Sequence, residues 1–200
     1  MSLSIDYYFA PNSPWTYLGH ARFVSIAAAA RARVRVLPVD LGRVFPVSGG
    51  LPLAKRAPQR QAYRLVELAR FREALALPLN LKPRFFPVAA DDAARLIVAV
   101  DQADGADAAL GLAGAILGAV WAEERNIADA DVLAALLAER GLAPERLAAS
   151  RSEAVGQRYD ANTEQAIATG VFGSPSYVID GELFWGQDRL DFVERRLAKG

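Results

Sequence analysis

The sequence predicts an α/β fold in which a strand-helix-strand unit and a strand-strand-helix unit share one sheet, separated by a long all-helical segment. Three observations carry this reading. The aromatic run Ile5, Tyr7, Tyr8, Phe9 stops at Pro11-Asn12 and is followed by an alanine-rich helical pattern and a β-branched run from Val34 to Val39. Roughly a hundred residues then pass with helical periodicity and no strand signal. Near the end, Tyr177-Val178-Ile179 and Leu183-Phe184-Trp185 flank Asp180-Gly181, a dipeptide suited to the left-handed positions of a tight hairpin turn.

Taken in order, the first strand runs into Ser13-Pro14. Serine there caps the helix by offering its oxygen to free first-turn N–H groups, and proline at the first helical position loses nothing by lacking an N–H. The helix extends to about Ala30, and its crossover to the second strand makes a right-handed parallel pair. Residues 42–52, with Pro46, Ser48, Gly49, Gly50 and Pro52, read as a loop. Helices are predicted over 56–76, 91–101, 106–124 and 129–140, the last closed by Gly141. Another starts at Pro144 and runs, with a break near Ser150, to Thr169. Pro83 and Pro87 make 79–88 an extended loop around Phe85-Phe86. A last helix covers 189–197. The segments are thus 1–41 and 161–200, two halves of one α/β domain, with a helical insertion at 42–160.

Bulk properties narrow the function. A 200-residue chain with 52% apolar residues supports one full core, and 23 basic against 23 acidic residues give no signal for nucleic acid or an anionic membrane as partner. No signal sequence or membrane-spanning run is evident, so a cytoplasmic setting is expected. With no cysteine, the chain has no disulfide and no thiol nucleophile of its own. One histidine and scattered carboxylates make no metal-ligand set.

The candidate chemistry gathers at Ser13. The first-turn amides and the helix dipole favour negative charge in front of it, so the position serves either as a plain cap or as an anion site. A serine nucleophile would need a base. The single histidine, His20, lies two helical turns further along and reads as a partly exposed helix residue.

The order of elements, with Asp6-Tyr7-Tyr8-Phe9 leading to Ser13-Pro14-Trp15-Thr16-Tyr17-Leu18-Gly19, then Gly170-Val171-Phe172-Gly173-Ser174-Pro175 and Gly186-Gln187-Asp188-Arg189-Leu190, resembles the kappa-class glutathione transferase group. Within it, the resemblance is greatest to the 2-hydroxychromene-2-carboxylate isomerases, relatives of the bacterial disulfide oxidoreductases. It covers nearly the whole chain and implies a thioredoxin-like fold with an inserted helical domain. Where the disulfide relatives carry Cys-x-x-Cys, this chain reads Ser13-Pro14-Trp15-Thr16, which removes that redox chemistry.

The resemblance further implies glutathione as cofactor, a small aromatic oxo-acid as substrate, and a homodimer. Ser13 would stabilise the glutathione thiolate. Lowering a thiol pKa by ~2 units needs under ~3 kcal/mol, within reach of one charge-assisted hydrogen bond and a helix dipole. Ser174-Pro175 matches the cis-proline loop whose backbone pairs with the cysteinyl unit. Gln187 and Asp188 match positions at the γ-glutamyl end, and Asp188 also reads as a helix cap. Arg60 falls near a glutathione-contacting lysine of the relatives. Asn12, Arg84 and Phe85 are candidates for holding the substrate, with Arg60 or Arg84 for its carboxylate, and Trp15, Tyr17, Phe86 and Trp121 for an aromatic wall or ordinary core. The chain reads Phe86-Pro87-Val88-Ala89-Ala90 where relatives often have a polar pair after the proline. The implied reaction is a thiolate-assisted isomerisation in aromatic-compound catabolism. A transferase or peroxidase acting on another electrophile, and a non-catalytic peptide-binding module of the same fold, are the competing readings.

Overall fold

The computed structural model describes residues 3–199; Met1, Ser2 and Gly200, the outermost residues of the two terminal segments, lie outside it. Its four-stranded mixed sheet has the order β2-β1-β3-β4, built from β1 (Ser4–Phe9), β2 (Arg33–Pro38), β3 (Ser176–Ile179) and β4 (Glu182–Trp185). β1 pairs parallel with β2 and antiparallel with β3, with Tyr7 opposite both Val36 and Tyr177. The turn at Asp180-Gly181 has both residues at positive φ, 49° and 82°, as the hairpin signal requires.

Strand alternation divides the apolar residues between two faces. Ile5, Tyr7, Phe9, Val36, Tyr177 and Ile179 join one large core. Tyr8, Leu37 and Val178 join a second with Val39, Ala166 and Val171. The first face carries α1 (Pro14–Ala29) and α9 (Leu190–Leu197), and the second is covered from α8 (Glu153–Ala168). Between the halves run α2 (Leu41–Ser48), α3 (Pro58–Ala74), α4 (Asp91–Asp104), α5 (Ala106–Trp121), α6 (Ala130–Glu139) and α7 (Glu145–Ala149). Leu96 and Ile97 of α4 and Leu112 and Ile116 of α5 are fully buried in the same core as the sheet. The helical segment therefore packs on the sheet rather than standing apart from it. Among the described residues, no helix is long and apolar enough to cross a membrane.

Two local readings change. Residues 41–48, expected to be loop, form α2, which Asp40 caps by accepting from the Gly42 N–H at 2.7 Å and which ends at Gly49 with φ of 77°. Its Pro46 stands in the sixth position, where the ring faces the carbonyl of Gly42. Second, His20 is buried, at 7% exposure, rather than partly exposed. Gly114 of α5 makes the room: a Cβ there would lie 3.1 Å from the imidazole.

Candidate active site

Ser13 caps α1 as its sequence position dictates. Its φ and ψ are extended, Oγ accepts from the Thr16 N–H at 3.3 Å, and Pro14 occupies the first turn. The residue is buried to 8% exposure, in front of a 16-residue helix whose first turn carries no acidic side chain to oppose an anion. Its hydroxyl points to the Ser174 carbonyl at 3.5 Å, the outer limit of a hydrogen bond. Its proton is thus only weakly engaged.

The loop beside it is fixed by short bonds. Ser174 Oγ accepts from the Ala10 N–H at 2.9 Å and exchanges a hydrogen bond with the fully buried Thr16 hydroxyl at 2.8 Å. The Ser174-Pro175 peptide is cis, as the resemblance implies, and Phe86-Pro87 is cis as well. The Pro175 carbonyl accepts from the Gly186 N–H at 2.9 Å and so ties this loop to the turn bearing Gln187 and Asp188. That turn lies hard against α1. A Cβ on Gly19 would meet the Gln187 Cβ at 2.6 Å, so only glycine permits the approach.

A cavity of about 500 Å³ opens here, lined by Trp15, Ser174, Gln187 and Asp188 from the sheet domain and by Arg60, Arg64 and Phe71 from α3, among others. It brings together four of the residues singled out from sequence: Arg60, Ser174, Gln187 and Asp188. Ser13 adjoins it through Ser174 without itself belonging to the lining. Asn12 donates to the Val88 carbonyl at 2.9 Å and so ties the turn before α1 to the loop of the second cis-proline. Arg84 is exposed with its guanidinium 5.1 Å from the Phe85 ring, and both lie outside the lining. Asp188 makes an ion pair with Arg189 and caps nothing. Trp121 is core, with Phe86 packed on it.

Arg64 is the residue that sequence reasoning passed over. It follows Arg60 by four residues on α3, which puts those two cations on one side of the helix, and Arg56, in the turn before α3, lines the same cavity. Among the described residues Arg64 Nη2 and Gln187 Nε2 are buried donors with no acceptor, as are Arg95 Nε, Trp121 Nε1 and the Tyr177 hydroxyl away from the cavity. Burial, reinforced by the Arg56 charge, lowers the Arg64 guanidinium from its ordinary value to about 10, so it stays charged at neutral pH. The cavity's two carboxylates are each paired, Glu67 with Arg70 and Asp188 with Arg189, which also lines the cavity. Arg56, Arg60 and Arg64 leave the cavity electropositive.

His20 takes no part in this site. Its Nε2 lies 3.0 Å from the Leu110 carbonyl, which only accepts, so Nε2 carries the proton and Nδ1 accepts from the Tyr7 hydroxyl at 3.1 Å. With both nitrogens occupied it offers no base to Ser13.

Residues 4–198 match the DSBA-like thioredoxin domain. The chain belongs to that family. Within it, the chain is 30% identical to 2-hydroxychromene-2-carboxylate isomerase of Pseudomonas putida, covering 98% of this chain and 94% of that protein. It is 32% identical to the protein of the same name from Pseudomonas sp. (strain C18), over 97% and 90%. A solved 2-hydroxychromene-2-carboxylate isomerase superposes with a TM-score of 0.79 at 26% identity, covering 98% of this chain and 95% of that one. The isomerase role is therefore present in this branch of the DSBA-like family, in relatives that span the chain from end to end.

Proposed function

We propose that the protein is a glutathione-dependent isomerase that converts 2-hydroxychromene-2-carboxylate, or a close analogue, to trans-o-hydroxybenzylidenepyruvate. The observation that carries this reading is a buried Ser13 hydroxyl at the N-terminus of α1, weakly engaged and bordering an electropositive cavity. The names of the full-length relatives support the isomerase class.

The residues present suit glutathione. Gln187, a lining residue, has an amide N–H without an acceptor, Asp188 places a carboxylate, paired with Arg189, beside it for an ammonium group, and Arg60 supplies a cation at the rim. When bound, glutathione would supply a thiolate nucleophile for reversible addition to the conjugated enone of the ring-opened chromene, the adduct's single bond being free to rotate before the thiolate is expelled unchanged. The chain's own part is electrostatic. Ser13 would donate a hydrogen bond to the sulfur, keeping its proton, in place of the long bond to Ser174, and the first-turn amides of α1 would add the positive end of the helix dipole. Thr16 and Ser174 hold that geometry through their 2.8 Å bond.

The test is a thiolate ultraviolet difference spectrum as glutathione is titrated in at several pH values, since the chain has no thiol of its own. A saturable signal persisting at pH 6.5, and reduced by about 10- to 100-fold in thiolate population and turnover by Ser13→Ala, is expected. Unchanged thiolate and turnover in a folded Ser13→Ala would overturn the role of Ser13. Absence of any signal at millimolar glutathione would remove the isomerase reading itself.

A further inference from the structure

We infer that Arg64 is the residue that receives the carboxylate of an aromatic acid, and that it sets the cavity's preference for acids over neutral aromatics. The sequence pointed to Arg60 or Arg84 for this task. Arg60 is exposed at the cavity rim, and Arg84 is exposed outside the lining with its guanidinium over its neighbour Phe85. Arg64 is different in three ways. Its guanidinium carbon lies 5.2 Å from the Phe86 ring and 5.6 Å from the Trp121 ring, a clamp that fixes the head group's direction. Its Nη2 is buried and has no acceptor. Among the described residues, no carboxylate comes within 4 Å of it, although Glu67 is one turn away on the same helix and turns to Arg70 instead.

A buried, charged donor left unpaired is costly, and a chain that places Glu67 so near has an internal remedy which it does not use. The missing partner is an anion from solution. The side chains beside Arg64 give its shape: Trp15 and Phe71, edge to face at 6.0 Å, and Tyr63 line the same cavity and offer ring faces. A planar ring on those faces with a carboxylate on Arg64 uses both features. Arg presents a planar fork, so a carboxylate can be bound through two parallel hydrogen bonds. The assignment rests on the isomerase reading for taking that acid to be the substrate; anion binding itself does not need glutathione.

The experiment measures trans-cinnamate and its neutral amide, cinnamamide, by tryptophan fluorescence, beside the glutathione thiolate titration. The proteins are wild type, Arg64→Met and Arg64→Lys. Wild type is expected to bind cinnamate about tenfold or more tightly than cinnamamide. Arg64→Met loses that difference, Arg64→Lys recovers part of it, and glutathione titrates alike in all three. Both variants keep a long stem against Phe86 and Trp121, and a cooperative urea transition with its midpoint at or above that of wild type establishes that they fold. Cinnamate behaving this way without any glutathione signal supports the Arg64 site while removing the isomerase reading. Equal affinity for acid and amide, or cinnamate binding untouched by Arg64→Met, overturns the proposal. So does a loss of glutathione binding in Arg64→Met with cinnamate unaffected, which would give Arg64 to the tripeptide.

Discussion

Two buried polar regions of this fold are built to opposite rules. Around His20, every ring nitrogen is paired, to the Tyr7 hydroxyl on one side and the Leu110 carbonyl on the other, and the group stays neutral within the aromatic core of Tyr7, Phe23 and Tyr177. Around the cavity, Arg64 and Gln187 keep donors without acceptors among the described residues, and four arginines share one space whose two carboxylates are both already paired. The Tyr177 hydroxyl, Trp121 Nε1 and Arg95 Nε are buried without a partner as well, so lack of a partner alone does not single out the cavity. Arg64 and Gln187 differ in lining an open cavity, where a ligand can complete them.

The comparison breaks most visibly in acid. Burial holds the His20 pKa at about 4, below its ordinary 6.5. Between those values the unfolded chain takes up a proton that the folded chain refuses, so stability is full above pH 6.5 and falls as pH drops toward 4. The full loss is ~3 kcal/mol. Urea midpoints at pH 7 and pH 4.5 measure it. His20→Gln should flatten the difference between the two pH values, and an equally steep loss in that variant would show that other groups set the acid limit.

The next effect lies at the wall between the regions. Ser174→Ala strips the acceptor from the Ala10 N–H and the partner from the buried Thr16 hydroxyl, at a cost of about 1–3 kcal/mol. Thr16→Val, which leaves the Ala10 bond in place, should cost less, about 1 kcal/mol. Chemical denaturation of the two variants and their double mutant gives the coupling, and equal costs for the two single changes would show that the Ala10 bond contributes little.

The sequence revealed those parts of the fold that rest on local chemistry. The cap at Ser13, the hairpin at Asp180-Gly181 and the helical periods of α4 and α5 are each written within a few residues, and the structure has them. α2 was obscured because Pro46 and the glycines after it are strong breaking signals. Its own signals, Asp40 before and Gly49 after, were equally local and outlasted the proline. His20 was misread for a different reason: its partners lie 13 and 90 residues away, and the glycine that admits it is on another helix. Arg64 carries no motif that sets it apart in the sequence from the other cations of α3. Its four-residue spacing from Arg60 is the one local signal, since like charges so placed on a helix repel.

The smallest effect has the sign that separates the two regions. Removing His20 from its paired site should destabilise, whereas Arg64→Met in the ligand-free protein should leave stability unchanged or raise it by up to ~1 kcal/mol. The change deletes a desolvated charge that no carboxylate offsets. It forfeits the attraction to Phe86 and Trp121, a gain of about 0.5–2 kcal/mol that works against the release of the charge and keeps the net small. Methionine retains an unbranched stem and a polarisable head against the same two rings, so the packing loss is slight. Thermal melts without added ligand read the difference directly. A loss of more than ~2 kcal/mol would place Arg64 with His20 among the groups that hold the fold together, and the unpaired guanidinium would then be a structural member rather than a vacancy for an acid.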